Sequence, residues 1–131
     1  SLAKVATAAQ RPIYWAGPRD NWSYELTVAN SGRVYVRYLP RGAPAGDPRA
    51  DFLTVGTYPS DRAYADLERA AKADDVLAAR LDSGALMVVA NKAPTNVYLA
   101  YRNLPYQIEV FDPSGETARE LALAGEIEPI R

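Results

Sequence analysis

Short segments of alternating apolar and polar residues, separated by glycine, proline, asparagine and aspartate, run through most of this sequence. Alternation with a period of two residues is typical of a β-strand with one buried face, and closely spaced turn residues favour antiparallel hairpins. With 131 residues, 48% of them hydrophobic, we expect a single domain over residues 1–131. The predicted strands are 12–16, 23–30, 33–39, 52–58, 76–81, 85–91, 96–102 and 106–111.

Two helices are predicted, one after Pro59-Ser60 and one after Pro113-Ser114. The proline breaks the preceding strand, and the serine can accept hydrogen bonds from the free N–H groups of the first helical turn. Both helices have narrow, alanine-rich apolar faces around Leu67 and Leu121. Such helices should pack on the sheet, and two of them cover only one of its faces.

Residues 28–40, VANSGRVYVRYLP, are echoed by residues 89–105, VANKAPTNVYLAYRNLP. We predict a duplicated β-β-β-β-α unit, with residues 12–73 and 76–125 as the repeats and residues 1–11 as a leader or linker. Alternation alone is the alternative, because any two valine- and tyrosine-rich strands look alike. The predicted fold class is α+β, a mostly antiparallel sheet of seven or eight strands with two helices on one face.

The residue types that are missing exclude several kinds of catalysis. Without histidine or cysteine, Ser-His-Asp and Cys-His nucleophiles and nearly all zinc sites are excluded. No glycine-rich phosphate loop is present, and no segment alternates acids as a calcium loop does, so we expect no cofactor and no metal. The remaining enzymatic alternative is a hydrolase with two catalytic carboxylates, but nothing in the spacing of the acids brings two together. The candidate acids are Glu25, Asp47, Asp51 and Glu109.

Tyrosine and arginine define the candidate contact surface. Alternation sends Tyr35 and Arg37 to the sheet face opposite Val34, and we expect Tyr98 and Trp15 to join them on this open face. Residues 40–51 contain three prolines and should form a semi-rigid surface loop. Alternatively, these tyrosines only fit half-buried strands, with their hydroxyls in water. The candidate contact residues are Trp15, Trp22, Tyr35, Arg37, Arg41, Arg49 and Tyr98.

Several segments together resemble a known group of proteins: PIYWAGPRDNWSYELT, GRVYVRYLP, FLTVGTYP and YQIEVFDPS. The group is an uncharacterised family of small domains from high-GC Gram-positive bacteria, often found behind a membrane-spanning segment. The resemblance implies an extracytoplasmic location. It supplies no activity and no functional residues.

A shorter stretch, SGRVYVRYLP followed by RADFLTVGTYPSDRAYADLERAAK, resembles the arm-type DNA-binding domain of phage-type tyrosine integrases. The residues that match that family's turn before its helix are Leu53, Gly56, Tyr58 and Pro59. The resemblance implies DNA binding, which needs cations that face the phosphates. Here Asp61, Asp66 and Glu68 stand in the helix instead. With a net charge of −1, we expect no nucleic-acid partner.

The sequence therefore predicts a non-enzymatic binding or interaction module. We expect it to be extracytoplasmic and joined to a membrane anchor upstream of this chain. Its partner would be a protein or a second copy of the chain, bound through the open sheet face. A nucleic-acid-binding arm domain and a carboxylate hydrolase are the alternatives.

Overall fold

The computed structural model describes residues 2–131, with the side chains of residues 8 and 9 left out. It confirms the α+β class and the antiparallel sheet. All eight predicted strands are present, together with an unpredicted ninth strand of two residues and an unpredicted first helix. The elements are α1 (Leu2–Ala9), β1 (Tyr14–Trp15), β2 (Trp22–Val28), β3 (Val34–Pro40), β4 (Thr54–Pro59), α2 (Ala63–Ala70), β5 (Val76–Arg80), β6 (Leu86–Ala90), β7 (Asn96–Ala100), β8 (Tyr106–Phe111), α3 (Gly115–Leu123) and β9 (Glu128–Pro129).

The main sheet has seven strands in the order β2-β3-β4-β8-β7-β6-β5. Neighbouring strands are consecutive in the chain except at the centre, where Val55 of β4 pairs with Val110 of β8. The sheet therefore consists of two meanders joined along one seam. β1 is not part of it, because Tyr14 pairs with Pro129 of β9 in a separate two-stranded sheet. The strand order puts the last strands of the two predicted repeats side by side, and the duplication itself stays a prediction.

The two faces of the seven-stranded sheet are covered by different helices. On the core face, which carries Val34, Val55 and Val110, α3 packs through Ala118 and Leu121. Side chains of the opposite parity form the second face, and α2 packs there. The prediction that both helices lie on one face is therefore wrong. The helices lie on opposite faces because residues 86–89 of β6 are all buried. A strand of this kind needs apolar cover on both sides.

The chain before β2 covers the core face of the first meander. The hydroxyl of Tyr38, which is completely buried, accepts a hydrogen bond of 2.8 Å from the Ala16 N–H and donates one of 2.6 Å to the Gly17 carbonyl. In α1, Leu2 and Val5 pack against the same core. Part of the predicted leader is thus a third helix. The alanine-rich stretch LAKVATAA is too short for its apolar spacing to have indicated a helix.

The two predicted helix starts have different outcomes. The cap at Ser114 is confirmed, since its hydroxyl accepts a hydrogen bond of 3.2 Å from the Thr117 N–H. The cap at Ser60 is wrong, because α2 begins after Arg62, which makes no side-chain capping bond. Ser60 instead donates its N–H to the Pro105 carbonyl at 2.8 Å and ties the start of α2 to β8.

Candidate functional site

The second face is only partly covered by α2, and a cavity opens on the uncovered part. α2 lies over Leu86, Val88 and Ala100 of β6 and β7 and also contacts β8, which leaves β3, β4 and part of β8 uncovered. The loop of residues 41–53 borders this free area and closes one side of a cavity of about 390 Å³. We call it the open-face pocket. The lining residues that matter for its chemistry are Tyr35, Phe52, Gly56, Tyr58, Glu109 and Phe111.

Gly56 forms the floor of the pocket. It pairs with Tyr35 of β3 on one side and with Glu109 of β8 on the other, so the three residues form one row across the sheet. A Cβ atom at Gly56 would stand 2.7 Å from the ring of Tyr58, closer than carbon atoms can approach. Because Gly56 has no side chain, the Tyr58 ring can lie above it.

Glu109 is the charged group of the floor. Its Oε1 accepts a hydrogen bond from the Tyr58 hydroxyl, and its Oε2 accepts bonds from Asn96 Nδ2 at 2.5 Å and from the Tyr98 hydroxyl at 3.1 Å. Burial, and then the adjacent carboxylate, raise the pKa of both tyrosines. Their hydroxyls therefore stay protonated and act as donors. Within residues 2–131, no cationic side chain forms an ion pair with Glu109.

Aromatic rings form the walls, and several of them already attract cations. Tyr35 and Tyr58 pack edge to face, with ring centroids 5.8 Å apart and planes at 67°. The guanidinium of Arg33 lies 4.6 Å from the centre of the Tyr58 ring. Those of Arg37 and Arg49 lie 5.4 Å and 5.1 Å from the centre of the Phe52 ring. The electron-rich faces of these rings favour such contacts.

Arg37 fixes the loop that borders the pocket. Its Nε donates to Glu25 Oε1 at 2.8 Å, while its Nη1 donates to the carbonyl of Asp47 at 2.6 Å and to that of Arg49 at 3.1 Å. The other oxygen of Glu25 accepts a hydrogen bond of 2.5 Å from the Gly46 N–H. These bonds lower the pKa of Glu25, that from Gly46 most and that from Arg37 next. The paired strands β2 and β3 thus hold the loop at three backbone positions.

The second arginine of the loop is bound within the loop itself. Arg49 donates to both carboxylate oxygens of Asp47, at 3.1 Å and 2.9 Å. These bonds, together with the Arg49 N–H, lower the pKa of Asp47 to about 2. Arg37 and Arg49, both predicted as contact residues, therefore line the pocket with their charges already paired.

The structure brings only some of the predicted contact residues together. Tyr35, Arg37 and Arg49 line the open-face pocket, and Tyr98 lies beside it as a hydrogen-bond donor to Glu109. Arg41 lies on the outer part of the loop, where it donates to the Asn21 side chain at 3.1 Å.

The two tryptophans lie on the core face instead. Trp15 packs edge to face on Tyr24, with ring centroids 5.5 Å apart, and Trp22 also packs against the core. The predicted position of Trp15 on the open face is wrong, because β1 lies outside the main sheet and its alternation says nothing about that sheet's faces. Trp22 and Tyr24 have the parity of Val36 in the paired strand β3, which places both on the core side.

Sequence reasoning missed Phe52, Gly56, Tyr58 and Phe111 as pocket residues, and considered Glu109 only as one acid among four. Alternation did offer a signal, because Glu109 stands between the buried Ile108 and Val110 and so must face away from them. Its neighbours depend on the pairing of β8 with β4 and β7, which no local pattern specifies.

The four candidate acids do not form a catalytic pair in the contacts observed. Glu25 and Asp47 are bound to arginines, Asp51 is exposed, and Glu109 is the acid that lines the pocket. Among residues 2–131, no group of three or more acidic side chains is placed to hold a metal ion. Nor is any helix in that range long and apolar enough to cross a membrane.

Comparison with protein-family models, with curated proteins and with solved structures found no match to this chain. The site is therefore interpreted from its own geometry.

Proposed function

We propose that this protein is a non-enzymatic binding module and that the open-face pocket is its binding site. The observation that carries the proposal is the cavity of about 390 Å³ over the row of Tyr35, Gly56 and Glu109, which is lined by aromatic rings and one carboxylate. A concave, largely apolar site with a few convergent polar groups is the usual form of a small-molecule site.

Preorganisation supports the proposal. Three donors hold the Glu109 carboxylate, and Arg37 ties the bordering loop to the sheet. A ligand would meet side chains that are already in position, so little conformational entropy would be lost on binding. Protein surfaces that only need solvation do not require such a network.

A pocket-blocking variant tests the proposal. Ala50 lines the pocket from the loop and is exposed, so Ala50→Trp should fill the mouth without disturbing the core. Ala45 is exposed in the same loop but does not line the pocket, so Ala45→Trp is the matched control. We expect a fragment library, screened by amide chemical shifts, to perturb Gly56 and Glu109 in the parent and in Ala45→Trp only.

Two results would contradict the proposal. One is a library in which no compound perturbs the pocket amides of the parent protein. The other is binding that survives unchanged in Ala50→Trp. The same two variants test the homodimer predicted through the open face. If it forms, sedimentation should show a dimer that Ala50→Trp dissociates and Ala45→Trp leaves intact.

The extracytoplasmic location is a separate proposal, which rests on the family resemblance and not on the pocket. Reporter fusions to this domain within its natural full-length protein test it directly. A reporter active only outside the membrane is expected, and one active only in the cytosol contradicts the proposal. Since Glu109 makes the pocket anionic, we propose no nucleic-acid partner, and duplex binding in about 50 mM salt would be the contrary result.

A further inference from the structure

We infer that the open-face pocket selects an organic ammonium cation, with a quaternary nitrogen preferred, that lies against Tyr35 and beside Glu109. The inference rests on the proposed function and names the chemical class of its ligand. Three observations carry it: the charge of the lining, the faces of the rings, and the hydrogen bonds that Glu109 already accepts.

Glu109 is the charged group of the lining that no cation contacts directly in the described residues. Arg37 is paired with Glu25 at 2.8 Å, and Arg49 is paired with Asp47 at 2.9 Å. Within residues 2–131, Glu109 receives hydrogen bonds only from the neutral groups of Tyr58, Asn96 and Tyr98. Its charge is therefore stabilised but not cancelled. A cation that lies beside this carboxylate would be attracted at close range, on the side of the pocket away from Arg33, which lies against the Tyr58 ring.

The rings offer the second half of a cation site. Aromatic faces attract cations, most strongly when water is excluded, and quaternary ammonium groups are bound in this way. In this protein the rings of Tyr58 and Phe52 already lie next to guanidinium groups. Among the described residues, the Tyr35 ring has no such neighbour, although it lines the same pocket. It is the wall on which a ligand cation would stack.

The hydrogen bonds at Glu109 favour a quaternary over a primary amine. A carboxylate offers about four acceptor positions, and three donors already use them here. A primary ammonium needs three acceptors of its own and would leave some of its N–H groups unpaired. A quaternary ammonium donates no hydrogen bond, so it would gain the charge attraction without that penalty. The volume of about 390 Å³ accommodates such a head group with a short chain.

The experiment compares choline with a neutral probe of the same shape and with a smaller primary amine, by amide chemical-shift titration of the whole chain. Choline carries the quaternary cation, dimethylbutanol replaces its nitrogen by carbon, and ethanolamine carries a primary ammonium. We expect choline to shift the amides of Gly56 and Glu109 and to bind at least about tenfold more tightly than dimethylbutanol, the scale of a desolvated cation–π contact. Ethanolamine should bind more weakly than choline.

Two variants locate the effect. Glu109→Gln removes the charge at nearly constant size, and Tyr35→Leu removes the ring while the wall stays apolar. Each should weaken choline binding by about tenfold or more. Tyr106→Leu, outside the pocket on the same strand as Glu109, should leave it unchanged. If Glu109→Gln fails to fold, Tyr35→Leu with its control still decides the matter.

Each other result overturns a defined part of the reasoning. Equal binding of choline and dimethylbutanol overturns the selection of a cation and leaves the binding module standing. Tighter binding of ethanolamine overturns the preference for a quaternary nitrogen. If choline shifts only amides remote from the pocket, the assigned site is wrong. If neither these probes nor any fragment reaches the pocket, the proposed function fails as well.

Discussion

Removing one oxygen atom from the core, with Tyr38→Phe, should destabilise the fold far more than its size suggests. The ring stays, together with its edge-to-face contact on Tyr24 at 5.2 Å. The hydroxyl that bridges Ala16 and Gly17 is lost, at 2.8 Å and 2.6 Å. The buried Ala16 N–H then has no acceptor, whereas water can reach the half-buried Gly17 carbonyl.

The magnitude follows from that asymmetry. A buried donor left without a partner costs roughly 1–3 kcal/mol, so we expect the free energy of unfolding to fall by about 2 kcal/mol. For a domain of this size the fall corresponds to a decrease in Tm of roughly 6–10 °C. The control is Tyr106→Phe, whose hydroxyl has no hydrogen-bond partner among the described residues, and which should change the free energy by less than about 0.5 kcal/mol.

Urea unfolding measured by circular dichroism gives both free energies. Tryptophan fluorescence reports on the same event locally, because Trp15 is adjacent to Ala16 in the chain. A loss below about 0.5 kcal/mol for Tyr38→Phe, or a loss equal to that of Tyr106→Phe, would refute the idea that this hydroxyl anchors the N-terminal segment to the sheet.

Two further predictions concern α2 and the loop of residues 41–53. Leu67 of α2 is 3% exposed, so Leu67→Ala should lower the free energy of unfolding by about 2–4 kcal/mol. The control is Leu77→Ala, at a side chain 51% exposed, which should lower it by less than about 0.5 kcal/mol in the same urea titration. Equal losses would mean that α2 does not pack on the second face. Because the pKa of Asp47 is lowered from 3.8 to about 2, its contribution to the loop is complete above the ordinary pKa and is lost as the pH falls through the lowered one. The amide of Arg49, which donates to the Asp47 carboxylate, should therefore exchange faster as the pH falls from 3.8 toward 2, after correction for intrinsic exchange. Asp47→Asn should remove this step, and an unchanged step in that variant would assign it to another group.

The strands were predictable from sequence because their signal is local. Alternation in VYVRYL is enough to put Tyr35 and Arg37 on the face opposite Val34, and the structure confirms it. The face of a helix is not local in this sense. The buried run LMVVA of β6 was readable as a strand, but its need for cover on both sides became decisive only once β5 and β7 were placed around it.

The candidate site was half predictable for the same reason. Tyr35 follows from alternation within one strand, but the hollow depends on which residues oppose it, namely Gly56 and then Glu109. Arg37 and Arg49 read as free contact residues because their acidic partners, Glu25 and Asp47, acquire meaning only in the folded loop. In α1, the apolar spacing of Leu2 and Val5 was too short a pattern to distinguish a helix from a linker.

The seam between β4 and β8 bears on how the protein folds. Every other ladder of the main sheet joins strands that follow one another in the chain, whereas Gly56 and Glu109 are separated by about two fifths of the sequence. Loop-closure entropy makes such a pairing slow, and neither meander can build the pocket alone. A bound ligand would contact both meanders at once and would therefore stabilise their association. At a concentration of one hundred times Kd it would add about 2.7 kcal/mol to the joined state, so the two halves expressed separately should associate more tightly in its presence.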